Sequence, residues 1–234
     1  MTTLEPPRRS EAAAGMLAIA PAAVAVVPFG LILGANAVEK GLSPLETALM
    51  SATVFAGSAQ FLAVGLWTTP AAWAALAFAT LLVNLRHVLM GASLARSLDR
   101  FGPAQRYLAA FLMADEVWAA AEHRALRHRL TPAFYFGAGL LLYGNWIATT
   151  TAGALLGGLV ADPAAWGFDF AFTAVFIGLV AGFWRGRTTL FVAAASASSA
   201  ILAHALLPGA WYVVIGAACG VATAALVPAT RGRP

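Results

Sequence analysis

Apolar runs of about the length of a bilayer crossing follow one another along this chain, and that pattern excludes most folds. They fall at about 15–38, 46–67, 71–95, 134–160, 168–184, 188–206 and 210–228. A spanning helix needs about 20 predominantly apolar residues. In lipid each unpaired backbone group costs several kcal/mol, so such runs have to be helical. The breaks carry turn chemistry: EKGLSP at 39–44, TTP at 68–70, ADPAAWG at 161–167, RGR at 185–187 and LPG at 207–209. Only 10% of residues are charged, against roughly 25% in a soluble domain, too few to cover a water-facing surface. The sequence therefore predicts an all-α, polytopic integral membrane protein, one membrane domain over 1–234. About seven transmembrane helices are expected, with eight as the alternative.

The formal charge of +4 does not point to nucleic acid, because the cations flank apolar runs, where orienting charges fall. Arg8-Arg9 followed by an apolar stretch resembles a leader peptide. The run continues to about Val38, however, which suits a first span better. Cys219 is the single cysteine, so no intrachain disulfide is expected.

The segment 97–132 differs from the rest. Arginines at 100, 106, 124, 127 and 129 surround the apolar centre YLAAFLMADEVWAAA, which holds Asp115 and Glu116. It is expected either to lie on the surface as a basic amphipathic helix or to cross as an eighth span. Seven spans with the N-terminus outside put 11 cations inside against Arg8 and Arg9 outside; eight spans with the N-terminus inside give 9 against 4. Both obey the positive-inside tendency, and seven is favoured.

A weak internal match at an offset of 123 supports that choice. It aligns Gly30 with Gly153, Gly34 with Gly157, Glu39 with Asp162 and Glu46 with Asp169. Residues 15–95 would form a first helix repeat, and 134–228 a second repeat with a terminal span. Seven spans would set the copies in opposite orientations, the inverted plan of many secondary transporters.

Polar residues at bilayer depth carry the functional reading. In TLLVNLRHVLM (80–90), Arg86 lies about 4.5 Å from the middle of its run at helical rise. A central arginine costs at least about 2.5–3.5 kcal/mol, and such residues mark binding sites or pathways. Thr80, Asn84, His87 and Gly91 share one helical face. Arg86 lies about 200° round from Asn84, so either the helix is interrupted near Asn84 or Arg86 serves another interface. The plainer reading has Arg86 snorkelling toward headgroups and His87 bonding a neighbouring helix.

In the run 46–67, Met50, Thr53, Gly57 and Gln60 share a face. The Gly57-Ser58 pair can kink a helix, exposing backbone groups to a substrate. Close helix packing alone is the competing account. Pro28-Phe29-Gly30 offers a second interruption. Small-x-x-x-small pairs at 30/34, 153/157, 178/182 and 216/220 read as packing surfaces. Glu46 and Asp169 fall at expected helix N-termini, where the dipole favours carboxylates. With Asp115 and Glu116 they are the candidates for proton coupling. His123 and His128 miss the i, i+4 spacing for a metal. With no nucleophile set and no phosphate-binding glycine loop, neither an enzyme nor a cofactor is called for.

PFGLILG (28–34), GLSPLETALMS (41–51), FAGSAQF (55–61), LVNLRHVLMGASL (82–94) and MADEVWA (113–119) together resemble the AzlC family. YGNWIATTTAGALLGG (143–158) and GFDFAFTAVFIGL (167–179) extend the likeness. The resemblance implies the large subunit of a two-component permease in the cytoplasmic (inner) membrane. It would export leucine, isoleucine and valine, with methionine a further candidate, by proton antiport and with a small AzlD-type membrane subunit. The family motifs carry onto Gly57, Ser58, Gln60, Asn84, Arg86, His87, Asp115 and Glu116; Ala114 departs from family members that have a hydroxyl there. On this reading interrupted backbone near Ser58 and polar groups around Asn84 bind the zwitterion, an apolar wall from Phe29, Phe55 and Phe61 holds the aliphatic side chain, and Arg86 compensates a carboxylate, either the substrate's or that of Asp115 or Glu116. The rival is a non-transporting scaffold that stabilises a partner subunit.

Overall fold

A computed structural model describes residues 10–157, 177, 181, 184, 186–207 and 211–227. Every regular element among them is helical. Helices Glu11–Glu39, Leu76–Leu98 and Arg187–Leu206 are long and apolar enough to cross a membrane. The chain divides into two compact units, residues 1–67 with 84–161 and residues 68–83 with 162–234.

The first unit is organised by α1 (Glu11–Glu39) and α8 (Pro132–Leu156). Ser10 caps α1 by accepting from the Ala13 amide, and Thr131 caps α8 by accepting from Phe134. The helices touch along their length where side chains are absent. A Cβ on Gly137 would fall 2.3 Å from the Ala12 carbonyl oxygen, and one on Gly34 2.0 Å from that of Thr150. One on Gly153 would fall 2.1 Å from the Leu31 oxygen, and one on Gly157 2.8 Å from the Ala35 Cα. The offset between these partners stays between 116 and 125 from one end of the seam to the other, so the two helices run parallel. The expected inverted repeat is thereby corrected: its matched glycines are two faces of one parallel seam. Asp162, Asp169, Gly178, Gly182 and nearly all of the run 168–184 lie outside the described residues. Pro21 and Pro28 lie within α1, which continues through both, so the expected interruption at Pro28–Gly30 is absent. Contact along α8 holds the helix where proline removes an internal bond.

α1 ends in a Schellman turn. Gly41 takes φ +90°, its amide bonds the Val38 carbonyl, and Leu42 bonds Ala37. A Ser43–Glu46 capping box and Pro44 then start α2 (Pro44–Thr53). The Ser43 backbone amide, then its hydroxyl, hold the Glu46 carboxyl below the usual range. Glu46 therefore stays ionised at neutral pH and serves as a cap. Because its folded pKa is lowered, the stabilisation is present above the unfolded value and disappears as pH falls through the folded one. Gly41→Ala is expected to lower stability by about 1–2 kcal/mol, since a Cβ is disfavoured at that φ. A shift of the thermal midpoint in detergent checks it, and an unchanged midpoint contradicts the assignment.

The run 46–67 is not one crossing. α2 stops at Thr53 and α3 (Gly57–Gly65) begins after three non-helical residues. A continuous helix would separate residues 51 and 60 by about 13.5 Å. Instead the Gln60 amide donates to the Ser51 hydroxyl at 3.2 Å, so the chain has turned back. Segment 97–132 also turns back. It forms α6 (Pro103–Phe111) and α7 (Asp115–Arg127) around a break at 112–114. Phe101 packs edge-on against Tyr135, and Arg124 lies 5.0 Å from the Phe134 ring, both in the first turn of α8. Between them, Leu112 reaches Gly139 one turn deeper. The segment therefore leaves and returns at one end of the α1/α8 pair.

Arg124 Nη2 donates to both carboxylate oxygens of Glu11, at 2.8 and 3.0 Å, so the start of α1 shares an end with the arginine-rich segment. Lys40, beyond the other end of α1, does not. A count of seven spans puts Lys40 and those arginines on one side, because it counts 46–67 as a full crossing.

α4 (Trp73–Asn84) and α5 (Arg86–Leu94) are separated by Leu85 alone, which keeps helical angles; a 3-10 turn, Ala95–Leu98, follows α5. In the second unit, α9 (Arg187–Leu206) and α10 (Trp211–Leu226) run antiparallel. Gly216 faces Ala200 and Ser196, and Gly220 faces Ser196 and Val192. Phe78 of α4 packs 5.3 Å from Trp211.

Candidate functional site

Three helix starts in the first unit meet at one guanidinium. Arg86 is the first residue of α5, Ser58 the second of α3, and Asp115 the first of α7. Arg86 Nη2 donates to the Ser58 hydroxyl, and Nη1 lies 2.8 Å from Asp115 Oδ2. The ion-paired side chains are 30% and 27% exposed, so both are sheltered yet reachable. Arg86 Nε and Asn84 Oδ1 are buried without a hydrogen-bond partner.

Local sequence explains the convergence. Ala56 caps α3 and Ala114 caps α7, and neither supplies a side-chain acceptor. The first-turn amides of both helices thus lack the cap that serine, threonine or aspartate would give. Two positive helix ends and a guanidinium surround Ser58 and Asp115. That arrangement suits a carboxylate. α5 is further joined to α7 by the Trp118 indole donating to Ser93 at 2.8 Å, and to the break before α7 by Met113 lying over Gly91.

The remaining expected residues divide. Gln60 is 1% exposed. Its amide nitrogen donates to Ser51, and its oxygen accepts from the Trp146 indole at 2.7 Å. The Ser51 and Thr150 hydroxyls are 2.8 Å apart, and Thr150 donates to the Trp146 carbonyl. Gln60 is therefore an interhelical tie, and the structure does not bring it to Arg86. Gly57 backs onto the Trp146 ring, 3.1 Å from a Cβ placed there. Gly30 belongs to the α1/α8 seam, where a Cβ would strike Thr149. Phe55 is 8% exposed, edge-on to Tyr143 at 5.3 Å; Phe29 and Phe61 are partly buried against the same core. His87 Nδ1 donates to the Asn84 carbonyl at 3.2 Å. Thr80 belongs to the second unit, where its hydroxyl bonds its own helix at Leu76. The expected four-residue polar stripe is thus divided between units. Glu116 follows Asp115 in the first turn of α7.

These elements match one family. AzlC protein is the family description that fits residues 21–160, more than half of the chain. The chain belongs to the AzlC family. It is 30% identical over 223 residues to the inner membrane protein YgaZ of Escherichia coli, covering 92% of this chain and 89% of that one. It is 26% identical over 186 residues to the branched-chain amino acid transport protein AzlC of Bacillus subtilis, covering 79% and 72%. An uncharacterized membrane protein of Archaeoglobus fulgidus is 30% identical over 195 residues, covering 82% and 84%. No solved structure matches the chain.

Within this AzlC chain the stretch YGNWIATTT gains a physical meaning that the sequence did not reveal. Tyr143 donates to the Ala52 carbonyl at 2.7 Å, Asn145 to the Ala23 carbonyl at 2.9 Å, and Trp146 to Gln60. Different sides of α8 thus hold α1, through Asn145, and α2 and α3, through Tyr143 and Trp146. The available signal was the density of donors in an apolar helix. Gln60→Leu should strand the Trp146 indole and lower stability by about 1–3 kcal/mol. Thermal unfolding in detergent reads this, and a midpoint equal to wild type would contradict the tie.

Proposed function

We propose that this AzlC chain is a secondary-active transporter that exports branched-chain amino acids, with Arg86 as the carboxylate anchor. The observation that carries the reading is the guanidinium shared by Ser58 and Asp115 between two uncapped helix starts. A zwitterion needs a cationic site and an anionic site close together. Arg86 and the amides of α3 and α7 supply the first; Asp115 and Glu116 supply the second, with Asn84 Oδ1 as a further acceptor. A substrate ammonium and a proton compete for the same carboxylates, so loading one releases the other. That competition is the logic of antiport. Phe29, Phe55 and Phe61 remain the proposed side of the aliphatic group. Each buried methylene is worth about 0.8 kcal/mol, enough to rank valine and leucine but not to separate them sharply. The Bacillus subtilis relative's name supports the substrate class.

The proposal extends to a multi-pass chain in the cytoplasmic membrane that works with a small AzlD-type subunit. The arginine-rich end would face the cytoplasm by the positive-inside tendency, putting the start of α1 there too. Proteoliposomes loaded with labelled leucine test it: efflux should need the small subunit and fall when the proton gradient is collapsed. Efflux insensitive to both rejects the coupled two-subunit reading. The buried ties of Gln60 are what a scaffold would also show; Arg86, with an unpartnered Nε, is what a scaffold would not need.

A further inference from the structure

A cavity of about 360 Å³ opens at the arginine-rich end of the first unit. One wall is the 3-10 turn after α5 and the bend beyond it, with Arg96, Asp99 and Arg100; the other is the connection from α7 to α8, with His128, Arg129 and Leu130. Arg96, Arg100 and Arg129 are exposed. The two ion pairs among the described residues are Arg86–Asp115 and Arg124–Glu11, so none of the three is paired. Arg106, which lies near them in sequence, uses its guanidinium on the Phe101 and Asp99 carbonyls. Three unneutralised guanidinia around one hollow repel one another, and the single facing carboxylate, Asp99, does not balance them.

The position specifies the depth. Arg96 to Arg100 are the residues where the apolar run through Leu98 ends. Leu130, 4% exposed, sits just before the start of α8. Both walls therefore lie where apolar helix meets polar chain, the level of lipid phosphates. Basic pockets between helix ends at that level bind anionic headgroups, and guanidinia bind phosphate oxygens by paired donors. We infer that this cavity is a binding site for a phosphate-bearing anion, an anionic phospholipid headgroup or a free phosphate.

Native mass spectrometry of the purified full-length chain in detergent tests it, with phosphatidylglycerol, phosphatidylcholine and inorganic phosphate as probes. Phosphatidylglycerol should bind and phosphatidylcholine should bind far more weakly. Each arginine near a headgroup is worth about 1 kcal/mol, roughly fivefold in affinity. The triple variant Arg96→Gln/Arg100→Gln/Arg129→Gln should therefore lose on the order of a hundredfold, while Lys40→Gln at the other end should lose nothing. Asp99→Asn should bind more tightly, a gain that misfolding cannot imitate. Inorganic phosphate showing the same variant dependence, with no preference for phosphatidylglycerol, assigns the site to the free anion. Equal binding of phosphatidylglycerol and phosphatidylcholine, or no response to either the triple variant or Asp99→Asn, overturns the inference.

Discussion

Arg86→Gln is expected to reduce leucine efflux to background while the protein still folds. Removing the guanidinium leaves the Asp115 carboxylate without its partner at 2.8 Å and the Ser58 hydroxyl without its donor. Breaking a fully buried pair costs about 3–5 kcal/mol; at 30% and 27% exposure, solvent reduces this to about 1–3 kcal/mol. That is survivable against a typical 5–15 kcal/mol. The double variant Arg86→Gln/Asp115→Asn removes the stranded charge, so its thermal midpoint should return most of the way to wild type. Its efflux should not return. Recovery of efflux in the double variant would make the pair structural and remove Arg86 from the transport site. Arg86→Lys should fall between, because one ammonium cannot reproduce a fork that reaches two partners from two nitrogens.

Gly34→Ala should be the most destabilising of the small substitutions. Its Cβ would lie 2.0 Å from the Thr150 carbonyl oxygen and 2.4 Å from the Ala154 nitrogen. Both are backbone atoms, so no rotamer change relieves the clash and α1 must separate from α8. Overpacking costs about 1–3 kcal/mol and sometimes more; with an entire seam displaced, at least about 3 kcal/mol is expected. Gly144→Ala, on the same α8, meets nothing within 4 Å. It should be neutral or stabilise by up to about 1 kcal/mol through helix propensity. Detergent-solubilised yield and thermal midpoint measure both. Equal effects of the two would mean that the parallel seam does not hold the fold.

Much of the candidate site was readable because its residues violate the solvent. Arg86, Asn84 and Asp115 are costly in an apolar run, and cost without function is rare. The partner of Arg86 was less readable. Ser58 lies 28 residues away and Asp115 lies 29 away on the other side, and no helical period links them. Gln60 shows the opposite failure. It looked as functional as Arg86, yet it is satisfied by Trp146, 86 residues on. A sequence records that a polar group is present, but not whether the fold has supplied its partner.

The apolar runs by themselves determined that this chain is helical and belongs in a membrane, because unbroken apolar runs of that length satisfy their own amides there as helices. They also marked the glycines at which helices approach closely. Only the tertiary structure decided direction. The turns at 54–56 and 112–114 reverse the chain because Gln60, Tyr143 and Trp146 bond across helices, and because the ends of α6–α7 both pack on the first turn of α8. Those contacts join residues distant in sequence, so hydropathy cannot distinguish a run that crosses from one that turns back. With that distinction α1 and α8 become parallel, and the break in each returning segment delivers an uncapped helix start to Arg86.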